Sequence, residues 1–363
     1  MTDELFKILL LFSIAQGIAF SALLIFKKKG NTKANILLAL FILLTIIPLW
    51  NDYAVNMPVE VGSLRLDFSW LYLPAFYGPL LYLYTLSYTR APKPSNFVFV
   101  ILLLAPVIGA FIKITHVYVL PNGLPKSIWL AWYFIIYAQI GGCIYAACHR
   151  ITEFEHEVKQ NLSNIDKAKT DWLKLLFLFY IAILLVALAQ TIAKSIGVNN
   201  LDFYKTVMSV AEAVFIFSIG LWGLNKSDIH FSDFVVRTKE KYSKSALTDV
   251  KANMVVDRLN VLMKNEEPYL DSDISLIALA EKLQVTPHHL SQVINEKLQQ
   301  NFYDFINSAR IERAKEMLST PDFKKLPIID IAYQVGFNNK TSFNNSFKKY
   351  THLTPSQFRA TSL

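Results

Sequence analysis

The stretch Ile331-Ala332-Tyr333-Gln334-Val335-Gly336-Phe337, continuing through Phe343, Phe347-Lys348-Lys349-Tyr350 and Pro355 to Arg359, decides how the chain is read. It predicts a helix, a tight turn and a second helix with a polar outer face. Gly336 ends the first helix, because glycine takes the left-handed backbone without a Cβ penalty. Asn339 has the right side chain to cap the second. Phe343 and Phe347 fall four apart and share one buried stripe. Lys340, Thr341, Asn344 and Asn345 then point elsewhere. A short helix with an exposed hydrogen-bonding face is what reading DNA base edges requires.

Aligning the chain on itself yields a second unit of the same kind. Leu276, Leu279, Ala280 and Leu283 form the inner face of its first helix, as Ile328, Ile331, Ala332 and Val335 do in the later unit. Thr286 is its cap, with Pro287 at the first helical position. Leu290 and Ile294 follow that cap at the spacing of Phe343 and Phe347 after Asn339, and the second turn is one residue longer. Between the units, Asn301 to Leu318 predicts a long amphipathic helix that ends near Ser319-Thr320-Pro321. Duplex DNA repeats about every 34 Å, so two units held apart by a rigid helix can enter successive segments of the major groove.

Upstream, the composition changes. The chain has 363 residues, 53% of them hydrophobic, and a mean hydropathy of +0.33, too apolar for an ordinary soluble protein. The apolar content lies before residue 225. Seven runs there approach the length needed to cross a bilayer core of about 30 Å: 5–26, 34–53, 68–88, 97–115, 128–147, 172–193 and 206–224. Pro74 and Pro79 interrupt the third. Lys27, Lys28, Lys29 and Lys33, then Arg90 and Lys93, then Arg150, Lys159, Lys167 and Lys169 place the odd-numbered loops in the cytoplasm. The N-terminus is then outside, and the chain after the seventh run is inside, where DNA is. The first run reads as an anchor, not a cleaved leader. The expected fold class is all-α, with a seven-span domain over 1–225, a linker over 226–264 and a DNA-binding domain over 265–363.

Polar residues inside spans are costly and draw attention. Gln16, Gln190 and Glu212 are candidates for signal sensing, with Lys205 or Gln190 as partner for Glu212; interhelical packing bonds are the plainer role. Trp50, Trp70, Tyr72, Tyr77, Trp129, Trp132 and Trp222 read as interfacial anchors. Cys143 and Cys148 have no metal-site spacing, and His149 and His156 read as surface residues. Nothing calls for a cofactor or a metal, and the spans hold no catalytic constellation, so the chain is not read as an enzyme. The segment 149–171 is expected to extend its helices into the cytoplasm. Asn225 to Ser245 reads as a tether along an anionic membrane. From Leu247 to Met263, Val250, Met254, Val255, Leu259 and Leu262 recur at helical spacing. That face suits either packing on the DNA-binding domain or a dimer seam.

The C-terminal pattern resembles the AraC/XylS family of bacterial transcription regulators. The resemblance covers about 265–363 and is most specific from Ile331-Ala332 through Gly336-Phe337, Phe343, Phe347-Lys348-Lys349, Thr354-Pro355 and Phe358-Arg359; Arg310, Ala314 and Leu318 also match. His352 departs from it where the family has glycine, as does Gln284-Val285 at the first turn. The resemblance implies base contacts from His288, Ser291, Gln292 and Asn295 in the first unit and from Lys340, Thr341, Asn344 and Asn345 in the second, with Lys348, Lys349 and Arg359 at phosphates. Residues 265–363 carry eleven Lys or Arg and eleven Asp or Glu, so the domain is neutral. From Gly336 onward there are four cations and no acid. A single copy therefore expects modest help from phosphates, and a homodimer would raise affinity. The reading is a regulator in the bacterial cytoplasmic membrane that binds double-stranded DNA in response to an unknown ligand. The alternative is a membrane receptor whose helical tail binds a protein.

Overall fold

The computed structural model describes residues 3–28, 30–56, 60–61, 64–65, 74–92, 94–115, 125–165, 170–198, 202–226 and 248–362. Among these the chain is all-α, with fourteen helices and one ribbon in which β1 (Glu60–Val61) pairs antiparallel with β2 (Leu64–Arg65). Two compact units emerge: residues 1–152 with 170–230, and residues 153–169 with 231–363.

The first unit contains α1 (Asp3–Phe26), α2 (Thr32–Asn56), α3 (Pro74–Tyr88), α4 (Asn96–Ile114), most of α5 (Lys126–Asn161), α6 (Asp171–Ser195) and α7 (Asp202–Lys226). These helices follow the seven apolar runs, but the count of spans needs correction. Among the described residues, five helices are long and apolar enough to cross a membrane: Glu4–Phe26, Thr32–Trp50, Ser127–Asn161, Asp171–Ser195 and Thr206–Leu224. The described part of the third run, α3, has 15 residues and rises about 22 Å, while 68–73 of that run lie outside the described residues. Helix α4 is not among the five; several of its side chains lie outside the described ones.

The core of this unit joins Phe41, Tyr77, Tyr84, Phe177, Tyr180 and Phe215. Phe41 meets Tyr77, Tyr180 and Phe215 edge-on at centroid distances of 5.8, 6.0 and 6.1 Å, a geometry that suits the ring quadrupoles. Tyr77 and Trp132, read from sequence as interfacial, are 8% and 2% exposed and belong to this core. Gly220 lets α1 and α7 close: a β-carbon there would lie 2.2 Å from the Phe20 ring. Lys205 and the tether Asn225–Ser245 lie outside the described side chains.

The second unit is built on α8 (Asp249–Asn265), α9 (Leu276–Leu283), α10 (Pro287–Glu296), α11 (Phe302–Ser319), α12 (Ile328–Gln334), α13 (Lys340–Thr351) and α14 (Pro355–Ser362). Ala252, Val255, Leu259 and Leu262 bury α8 in the same cluster as Leu279, Leu283 and Leu290. Packing on the DNA-binding domain, one of the two roles open to that helix, is thus what Val255, Leu259 and Leu262 do. Val250 and Met254 are 71% and 59% exposed and take no part in it. A second cluster joins Ala314, Leu318, Ile331, Val335, Phe343 and Phe347. Helix α11 contributes to both clusters, so it holds the two helix-turn-helix units together as one body.

Residues 153–165 also belong to this unit. Helix α5 continues to Asn161, and Phe154 and Val158 form a small core with Leu162 and Ile165. Leu162 bridges Ser275 as a short antiparallel pair. Of the extension expected over 149–171, α5 carries its part to Asn161 and α6 begins only at Asp171; the described part after 152 is docked on the C-terminal helices.

Candidate nucleic-acid interface

Each candidate reading helix starts where the sequence places its cap. Thr286 accepts a hydrogen bond from the backbone N–H of His289 at 3.2 Å, with Pro287 opening α10. Asn339 accepts one from Ser342 at 2.8 Å and opens α13. Each satisfies a donor that the helix itself leaves orphaned. Leu290, Val293 and Ile294 fix the inner face of α10, all at most 1% exposed. Phe343 and Phe347, both fully buried, fix that of α13. An aromatic chain runs Phe337, Phe343, Phe347, Phe358, with centroid steps of 5.3, 5.6 and 5.4 Å. It clamps α13 between the turn and α14.

The candidate contact residues meet different surroundings. Lys340, Thr341, Asn345 and Lys348 are exposed, and His288, Ser291, Gln292 and Asn344 are half-buried. Gln292 donates to Glu296 at 3.0 Å. Asn295 donates to the Ser291 carbonyl at 2.8 Å and to Oε1 of Gln160 at 2.9 Å. Lys349 is held by Asp304 at 2.6 Å, with its ammonium 5.3 Å from the Tyr350 ring centroid. Arg359 is half-buried; one of its nitrogens donates to the Lys324 carbonyl at 3.4 Å, while Nε and a second terminal nitrogen are covered by protein. Lys349 and Arg359 thus serve packing as much as they offer charge.

The centre of the unit is Arg310, on the inward face of α11 and 1% exposed. It donates to the carbonyls of Tyr269 and Asp271, both at 2.7 Å, and to Asn307 and Ser163, both at 3.3 Å. Its guanidinium lies 5.5 Å from the Phe337 ring centroid. Burial pushes its pKa down to about 10, which still leaves it charged at neutral pH. A buried charge is tolerated only when its donors are matched, and these carbonyls match them. One arginine therefore ties the 3₁₀ turn Pro268–Leu270 before the first unit to the turn of the second. An arginine amid the apolar positions of α11 was the sequence signal for this role. Ser163 and Gln160 carried no such signal, because neither lies in a periodic pattern.

The sensing candidates lie in the first unit. Gln16 donates to the Ala213 carbonyl at 3.1 Å, linking α1 to α7. Glu212 lines a cavity with Tyr77, Tyr137 and Tyr180. Gln190 is half-buried, and among the described residues it is not part of that wall.

Comparison with known proteins agrees with the C-terminal geometry. A family model described as a helix-turn-helix domain matches residues 279–361. An uncharacterized HTH-type transcriptional regulator of Staphylococcus aureus strain COL is 37% identical over 131 residues, which are 36% of this chain and 16% of the relative. The HTH-type regulator YtdP of Bacillus subtilis is 23% identical over 189 residues, 47% of this chain and 24% of the relative. The chain thus spans between a sixth and a quarter of the length of these curated relatives. Among solved structures, the C-terminal domain of AraT, a response regulator from Geobacillus stearothermophilus, is 33% identical over 32% of this chain and 88% of that one, with a TM-score of 0.26. The curated relatives are named as HTH-type transcriptional regulators. The C-terminal part of the chain, residues 279–361, is an AraC-type helix-turn-helix DNA-binding domain.

Proposed function

We propose that the chain is a one-component transcription regulator embedded in the bacterial cytoplasmic membrane, reading DNA sequence through α10 and α13 in response to a signal at the membrane. The observation that carries this reading is the path of α5. The helix runs from an apolar span to Asn161, and its residues from Glu153 pack with the helix-turn-helix domain. A shift of that span would be felt at Gln160 and Ser163, and through them at Asn295 and Arg310. The loop charges put the N-terminus outside and the C-terminal domain in the cytoplasm; hydrogen bonds from Asn31 to the Ser87 carbonyl and from Arg150 to Thr89 support this by bringing the ends of loops one, three and five together. In this reading His288, Ser291, Gln292, Asn295, Lys340, Thr341, Asn344 and Asn345 face bases, Lys348 meets phosphate, Gln16, Gln190 and Glu212 sense the signal, and a second copy raises affinity.

The test is to map DNA crosslinked to the full-length protein in native membranes. Recovery of a limited set of sequences, lost when salt rises, is expected. Recovery without sequence preference overturns the proposal. The neutral charge of 265–363 favours a second reading, a tail that binds a protein partner. It predicts that Lys340→Ala with Asn344→Ala leaves regulatory output intact.

A further inference from the structure

Within the first unit a groove of about 810 Å³ opens between the start of α2 and the end of α3. Leu37, Leu83 and Leu86 give it an apolar wall. One side chain ties the two helices together there. Nδ2 of Asn31 donates to the Ser87 carbonyl at 2.6 Å, and its Oδ1 accepts from the Ala34 N–H at 3.2 Å, which caps α2. Two cations stand on the same lining, Lys33 and Arg90, and both residues are exposed. No described residue on that lining is acidic. Arg90 has a φ of +49° in the turn that stops α3, a backbone that only glycine takes without penalty. The strain is thus borne by a residue whose side chain lines the groove. The groove therefore offers aliphatic surface with positive charge at its rim.

We propose that this groove binds an anionic phospholipid of the cytoplasmic leaflet, its phosphate beside Lys33 and Arg90 and the upper part of an acyl chain along Leu37, Leu83 and Leu86. The proposal rests on the reading that residues 1–226 lie in the membrane with loops one and three in the cytoplasm. Charge selects an anion, because the lining carries two cations and no acid. Arginine meets phosphate as a planar fork and lysine meets it as a point charge, and the N-terminus of α2 adds partial positive charge. The leucine wall selects an amphiphile, since a free phosphate would leave that wall in water. Position selects a lipid: Lys33 and Arg90 lie at the cytoplasmic ends of their helices, where basic pockets between membrane helices take anionic headgroups. The volume falls in the range of about 300–1,000 Å³ that suits a drug-sized body. It holds a headgroup and the first part of one chain, with the remainder in the bilayer.

The test uses full-length protein in phosphatidylcholine vesicles, without DNA. The probe is a trace of phosphatidylglycerol with a photoreactive diazirine on its acyl chain, and phosphatidylcholine with the same chain is its zwitterionic counterpart. Protein that floats with the vesicles is irradiated, digested and mapped. Labelling of peptides that contain Leu37 and Leu83–Leu86 is expected, about tenfold stronger with the glycerol lipid than with the choline lipid. Lys33→Gln and Arg90→Gln should each lower the glycerol-lipid label at these peptides about fivefold and leave label elsewhere unchanged. Leu83→Trp, which fills the groove and leaves both cations in place, should lower it as well; it keeps the proposal testable if the charge variants misfold. Equal label from the two lipids, or label indifferent to all three substitutions, overturns the proposal. Displacement of the label by added inorganic phosphate would make this a free-anion site and overturn the lipid assignment. Protein that does not float refutes the membrane reading itself, whereas floated protein without headgroup preference refutes this proposal alone.

Discussion

Gly336 and Arg310 approach so closely that a β-carbon at 336 would lie 2.9 Å from Nε of the arginine. The same atom would lie 2.5 Å from the Tyr269 carbonyl oxygen, which Arg310 itself holds. Gly336 also has φ of +94°. One glycine thus meets three demands: a left-handed turn, room for a buried guanidinium and room for a backbone carbonyl. Gly336→Ala should destabilise the second unit by about 2–4 kcal/mol, from left-handed strain plus overpacking. Hydrogen exchange across residues 269–347 of the full chain measures it. A loss under 1 kcal/mol would show that Arg310 gives way easily.

The two departures from the family pattern fall at left-handed positions. Gln284 ends α9 with φ of +55°, and His352 ends α13 with φ of +59°. Each turn takes the left-handed backbone that glycine adopts without penalty, and bears the strain of a side chain. Gln284→Gly and His352→Gly should each stabilise the unit by about 0.5–1 kcal/mol, the left-handed cost less the entropy of a freer unfolded chain. Slower exchange in α9 and α13 is the expected readout, and faster exchange would mean the side chains pack usefully.

Residues 160–163 make a clasp whose release can be read as DNA affinity. Gln160→Ala frees Asn295 from a 2.9 Å hydrogen bond. If Asn295 reads a base, full-length protein should bind its target about two- to fivefold more tightly, the worth of one neutral hydrogen bond. Ser163→Val acts differently. Ser163 is 2% exposed and donates to the Ile274 carbonyl at 2.8 Å, so the change should cost about 1–3 kcal/mol of local stability by leaving buried groups unmatched. Titrations against one crosslinked sequence separate the two effects.

Charge substitutions on α13 should fall into two classes. Lys340 and Lys348 are exposed, and each alanine variant should lower the slope of log affinity against log salt by about one if the side chain meets a phosphate. Lys349→Ala should barely change that slope. Its ammonium is bound to Asp304, to which the Tyr350 hydroxyl also donates at 3.3 Å, so its loss loosens α13 from α11 instead. Equal slopes for all three would mean that the Asp304 pair opens on DNA.

The C-terminal domain was legible because its signals are local. Caps, helix stops and apolar spacing act within a few residues, so Thr286, Asn339, Gly336 and the Phe343–Phe347 stripe could be read directly. Helix α11 was bounded to within a residue of its observed ends. The family likeness added Arg310 as a match, but three of its four partners, Tyr269, Asp271 and Ser163, come from distant parts of the chain and follow from no short-range rule. The membrane half was legible as apolar length and less so as spans: the sequence shows seven apolar runs, and five of the described helices are long and apolar enough to cross a membrane. Aromatic belts and aromatic cores use the same residues, so Trp132 and Tyr77 were read outward when they face inward. The docking of 153–165 was beyond reach for another reason: its hydrogen bonds join residues more than 100 positions apart.

A protease cutting between 227 and 247 would not set the DNA-binding unit adrift. That unit contains a piece of chain made long before the linker, with Ser163 held by Ile274 and Arg310. After such a cut the helix-turn-helix pair would stay moored through the end of α5 by non-covalent bonds alone. Departure for the chromosome would then be a reversible dissociation, set by how firmly the clasp grips, and the cut itself would serve only to permit it.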